Sequence, residues 1–114
     1  TVKRIYEPAA PSDGYRVLVD RLWPRGVSKE KAQVDLWLKE IAPSNALRQW
    51  FGHDPVRWIE FQKRYRSELR AMPQVTGQLK QLIKKHRSLT LVFSARDEEH
   101  NQAVALRAFL QGSK

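Results

Sequence analysis

The chain of 114 residues contains no cysteine. Disulfides, thiolate metal sites and cysteine nucleophiles are therefore excluded. Only five glycines occur, and none of them builds a glycine-rich phosphate loop or a dinucleotide fingerprint. A GxSxG elbow, the mark of a strained serine nucleophile, is also missing. The three histidines show neither HxxxH nor HxH spacing, so no metal and no cofactor are expected. No apolar run approaches the roughly 20 residues that span a bilayer, and no signal peptide precedes the first strand. The expectation is a cytoplasmic protein without a membrane partner.

Acidic residues are scarce as well. Twelve Asp and Glu stand against 21 Lys and Arg, giving a net charge of +9. Such an excess draws in polyanions, anionic metabolites or acidic partners, although a solvated basic surface has the same composition. A chain of this length forms one domain, here residues 1–114, and buries roughly two-thirds of its unfolded surface. An ordinary hydrophobic core holds it without covalent staples.

What is present is organised around Asp20-Arg21-Leu22-Trp23-Pro24-Arg25-Gly26. This stretch closes the apolar run Tyr15-Arg16-Val17-Leu18-Val19, whose β-branched and aromatic content predicts a strand. Pro24 cannot donate to a sheet ladder and Gly26 opens backbone angles closed to other residues, so the strand ends here. Parallel α/β sheets place their ligands at such strand ends.

Val2 to Tyr6 alternates apolar and basic residues, the pattern of a half-buried edge strand. Ser28 caps a short helical turn over residues 29–31. Val34 to Ile41 fits both a strand and one face of a helix, and the following Pro43-Ser44 turn favours the strand. Ser44 caps a helix that Gly52 ends. Asp54-Pro55 is the clearest helix start, N-cap followed by proline. From there Trp58, Phe61, Tyr65, Leu69 and Met72 form a core stripe, with Glu60 and Arg64 paired on the surface. After Pro73, the residues Val75, Leu79, Leu82 and His86 line one helix face. Leu89-Thr90-Leu91-Val92-Phe93 predicts a central strand buried on both sides. A last helix is expected from about Glu98 to Gln111, capped by Asp97, or by Ser94 with Asp97 three residues on, and buried through Ala103, Leu106 and Leu110. The predicted class is α/β, one compact domain with a small mixed or mostly parallel sheet and helices packed on its faces.

Two anchors carry candidate chemistry. If the two buried strands run parallel, Arg21 and Arg25 meet the segment that opens the last helix, Ser94 to Asn101. Arg21, Arg25 and Arg96 would then hold a phosphate or carboxylate, with Ser94 and Asn101 assisting. His100 would donate or shuttle a proton, and Asp20 would orient an arginine. Asp97, Glu98 and Glu99 oppose an anion there, and Asp20 and Arg21 equally fit the part of buried polar ties. Trp23, Trp50, Trp58 and His86 read as packing residues, and Asp54 as a cap rather than a partner of His53. A catalytic version would be hydrolysis or transfer on a small phosphorylated or carboxylated molecule. The alternative is a non-catalytic binder of nucleic acid or acidic protein. It would use two basic helix stripes, Lys63/Arg66/Arg70 and Lys80/Lys84/Arg87.

Asp20 to Gly26, Ala42-Pro43-Ser44, Leu47-Arg48, Trp50-Phe51 and His53-Asp54-Pro55 together resemble the YeaO-like family of small bacterial proteins. Phe61, Tyr65, Glu68-Leu69 and the Asp97/His100-Asn101 helix start fit the same pattern. The resemblance spans nearly the whole chain. It implies a compact α/β fold and a cytoplasmic setting, and no particular activity, because the family is a domain of unknown function. It also implies that longer relatives carry a cysteine and an arginine near the equivalent of Ser94–Asn101, neither matched here. Thiol chemistry is thereby removed.

Overall fold

A computed structural model describes residues 1–112 of the chain. Four parallel strands form one sheet in the order β1-β4-β2-β3. They are β1 (Val2–Arg4), β2 (Tyr15–Leu18), β3 (Leu36–Trp37) and β4 (Leu89–Phe93). Five helices accompany them among the described residues: α1 (Lys29–Ala32), α2 (Asn45–Phe51), α3 (Trp58–Arg70), α4 (Pro73–Lys85) and α5 (Gln102–Gly112). The α/β class and the single compact domain follow directly, and the sheet is wholly parallel. No helix among the described residues is long and apolar enough to cross a membrane.

Alternation along the central strands divides the interior unequally. Val17, Val19, Leu91 and Phe93 join a large core with α2 to α5, including Phe51, Phe61, Tyr65, Leu79 and Leu106. Leu18 and Val92 face the other way, into a small cluster closed by Ile5, Ala32, Trp23 and Trp37. Of the five α-helices described, only the four-residue α1 contributes to that cluster, through Ala32. Polar residues finish it: Asp13, Arg16 and Thr90 are buried there, and Thr90 Oγ1 donates to Asp13 O at 2.7 Å. Gly14 makes the approach possible. Its φ is +66°, and a Cβ would lie 2.2 Å from Ser88 O, which the Tyr15 amide reaches at 2.9 Å.

Several caps stand where the sequence places them. Ser44 accepts from Leu47 N and Ser28 from Lys31 N, while Asp54 accepts from Val56 N at a 3-10 turn, Pro55–Arg57, that leads into α3. Gly52 ends α2 in the left-handed region. Two expectations are corrected. The strand expected over Val34–Ile41 shrinks to Leu36–Trp37, because residues 39–41 tighten into a 3-10 turn. The last helix begins at Gln102 rather than Glu98. Asp97 Oδ1 accepts from the amides of Glu99 and His100 and closes a turn, and Asn101 takes over the cap by accepting from Val104 N.

Candidate functional site

The site grows from one buried carboxylate. Asp20 follows the end of β2 and is 7% exposed, beside the end of β4. It accepts hydrogen bonds from the Ser94 hydroxyl, the Ser94 amide at 3.2 Å and the Gln102 side-chain amide. Three elements, β2, β4 and α5, are thus tied through one side chain. Burial pushes its pKa above the ordinary carboxylate value, against the opposing effect of the Ser94 and Gln102 hydrogen bonds and the charge of His53. The expected role of orienting an arginine is not what Asp20 does. Arg21 instead donates to the carbonyls of Pro43 at 3.2 Å and Ala42 at 3.0 Å.

Around this tie lies a cleft of about 620 Å³ at the C-terminal ends of the strands. Its floor includes Phe51 and Phe61, and its wall includes Trp23, held by an Nε1 bond to Val27 O at 2.7 Å. Four arginines reach it: Arg21, Arg25, Arg48 and Arg96. Among the described residues none of the four lies within ion-pair distance of a carboxylate. His53 adds a ring from the turn after α2, where its φ is +56°. Asp97 also borders the cleft. The Glu99 amide, the His100 ring and the His100 amide hold its carboxyl below the ordinary range.

Of the residues singled out in the sequence, the structure gathers Asp20, Arg21, Arg25, Ser94 and Arg96 around this cleft. Two stay outside its lining. His100 turns its Nδ1 to Asp97 at 2.9 Å and makes a T-shaped ring contact with Trp58. Asn101 is 1% exposed and spends both side-chain ends on the backbone, at Asp97 O and Val104 N. Ser94 Oγ is directed at Asp20. Arg48, His53 and Gln102 are among the residues that sequence reasoning left out of the site. Ser44 fixes the start of α2, and with it the side of the helix that Arg48 occupies.

The second basic group separates in two. Lys63, Arg66 and Arg70 lie on α3, outside the lining of either cleft. Lys80, Lys84 and Arg87 line another cleft, of about 680 Å³, at the opposite end of the sheet. His86 packs as expected, stacked on Tyr15 with ring centroids 3.9 Å apart. Among the described residues no group of His, Asp and Glu is arranged to hold a metal ion.

The family described as the inactive DUF488-N3 subclade, DUF488-N3i, matches residues 1–113. The chain belongs to this family. It is 44% identical over 109 residues to the uncharacterized protein YeaO of Escherichia coli K12, across 96% of this chain and 94% of that one. It is 40% identical over 111 residues to the uncharacterized protein Rv3073c of Mycobacterium tuberculosis H37Rv, across 97% and 92%. The YeaO-like resemblance is borne out over its full length. No solved structure matches the chain.

For this DUF488-N3i member the Asp20 tie yields a stability prediction. Asp20→Ala strands the Ser94 amide and the Gln102 amide in a partly buried site and is expected to cost about 2–3 kcal/mol in urea unfolding. Asp20→Asn keeps an acceptor for Ser94 and costs less. The raised pKa fixes the sign with pH. The folded state holds the proton more tightly than the unfolded chain, so this group's contribution declines as pH rises from about 4 through the folded pKa. Asp20→Asn removes that slope, which pH-resolved unfolding midpoints would measure.

Proposed function

We propose that the cleft over Asp20 binds a small molecule bearing a phosphate or carboxylate, and that it does so without turnover. The observation that carries this reading is four arginines facing one cleft with no carboxylate in ion-pair reach among the described residues. Arg25, Arg48 and Arg96 are exposed and available to a ligand, while Arg21 is braced on two carbonyls and supplies field more than contact. Guanidinium forks match the planar, bidentate geometry of both oxyanions. The aromatic floor gives the rest of such a ligand an apolar surface.

Catalysis by hydrolysis or transfer has less support. Ser94 and Asp20 are joined to each other, and among the described residues no histidine hydrogen-bonds the Ser94 hydroxyl to take its proton. The description of the family as inactive points the same way.

Titration calorimetry with inorganic phosphate, a phosphomonoester and a dicarboxylate tests the reading. At least one is expected to bind saturably. Arg48→Ala/Arg96→Ala is expected to weaken that binding by about tenfold or more, because each charge-assisted hydrogen bond contributes about 1.5–3 kcal/mol. Both side chains are exposed, so the melting temperature should stay near that of the parent. Absence of saturable heat with all three probes would overturn the binding site. Turnover of the phosphomonoester, lost in Asp20→Asn, would overturn the non-catalytic part.

A further inference from the structure

The cleft at the opposite end of the sheet is chemically different. Between Glu68 and Asp97 the chain carries no acidic residue, and α4 lies wholly within that interval. Lys84 and Arg87 therefore have no acid in their own stretch of chain. Lys84 and Arg87 are exposed and line this cleft, and Arg107 joins them from α5. Sequence periodicity groups the first two, but only the fold adds Arg107. Among the described residues the one carboxylate in the lining, Asp13, is already neutralised by Lys3 at 3.1 Å and Arg16 at 2.7 Å. Among the described residues no carboxylate pairs with Lys84, Arg87 or Arg107. Ser12 and Ser88, both exposed, line the same cleft with their hydroxyls.

Cations and hydroxyls sharing one cleft are the set that contacts sugar–phosphate backbones. Protein partners are anchored instead by buried aromatic side chains, and among the described residues no Trp, Tyr or Phe lines this cleft. We infer that this end of the molecule binds the phosphodiester backbone of a nucleic acid, independently of the arginine cleft at the other end. Without stacking aromatics, the binding reads charge and backbone rather than base sequence.

Fluorescence anisotropy with short labelled single-stranded DNA, single-stranded RNA and duplex DNA, from about 50 to 200 mM salt, tests this. The full chain is expected to bind at least one of them with affinity falling steeply as salt rises. Which one binds best separates DNA from RNA as the source of the phosphodiester. Lys84→Gln/Arg87→Gln/Arg107→Gln is expected to weaken binding by about tenfold or more and to lower the salt slope by about 2. Arg48→Ala/Arg96→Ala is expected to bind the oligonucleotide like the parent, so failure of the small-anion site leaves this result intact. Three outcomes overturn the inference: no salt-dependent binding to any strand, a triple variant that folds and binds unchanged, or tighter binding of polyglutamate than of any oligonucleotide at equal salt.

Discussion

Asp13→Ala is expected to destabilise the fold by about 3–5 kcal/mol, read as a lowered midpoint in chemical denaturation. The reason is the guanidinium left behind. Arg16 is 3% exposed and bridges Asp13 at 2.7 Å, with Ala32 O accepting from its Nε and Nη2 at 3.1 and 2.8 Å. Removing the carboxylate leaves that charge buried, while Lys3, at 18% side-chain exposure, can turn to water. The Ala10 amide also loses its acceptor. Removing both partners is a different matter. Asp13→Ala/Arg16→Met is expected to recover much of the loss, because an apolar replacement of a buried ion pair is often close to neutral. The difference between single and double variants reports the coupling. The pH dependence of this group has the opposite sign to that of Asp20. Burial works to raise the Asp13 pKa, but hydrogen bonds from Ala10, Lys3 and Arg16 outweigh it, and the carboxyl sits below its ordinary value. Its stabilisation is therefore fully present above about pH 4 and is lost as pH falls through the folded pKa.

Phe61→Ala is expected to cost a similar 3–5 kcal/mol. The ring is 2% exposed and lies against Phe51 at 4.3 Å, Trp58 at 5.7 Å and Tyr65 at 5.8 Å between centroids. Deleting it opens a void among side chains that α2, α3 and the sheet hold apart, so the walls relax only in part. Phe61→Leu fills most of that space and is expected to cost well under half as much. The same ring floors the arginine cleft. Stability and ligand affinity are thus expected to fall together in Phe61→Ala, whereas Arg48→Ala/Arg96→Ala moves affinity alone. Thermal melts run beside phosphate titrations of both variants separate the two patterns.

Elements with local signals were legible in the sequence. Asp54-Pro55 and Ser44 need only their own neighbours to cap a turn, and Leu89–Phe93 declares its burial by composition. Asp97 and Asn101 show where that information stops. Both cap, one a turn and one a helix, and short sequence does not distinguish the two uses. The candidate site was legible where it lies at strand ends, as with Arg21, Arg25 and Arg96. Arg48 and His53 reach it from α2 and its following turn, whose position across the sheet is set by packing of Phe51 on Phe61. Arg107 is hidden for the same reason, being paired with α4 only by tertiary contact. Arg16 carries a local signal of its own, a charge at an inward position of an apolar strand.

The strand order has a consequence for how the molecule is made. β1 has one neighbour, and that neighbour is β4, with Val2 opposite Leu91. A ribosome adding roughly 5–20 residues per second delivers β4 about 5–18 s after β1. Throughout that interval the residues of β1 have no ladder to join, and β2 has only the two-residue β3. The sheet therefore closes late, from its middle outward, once the last central strand has left the exit tunnel.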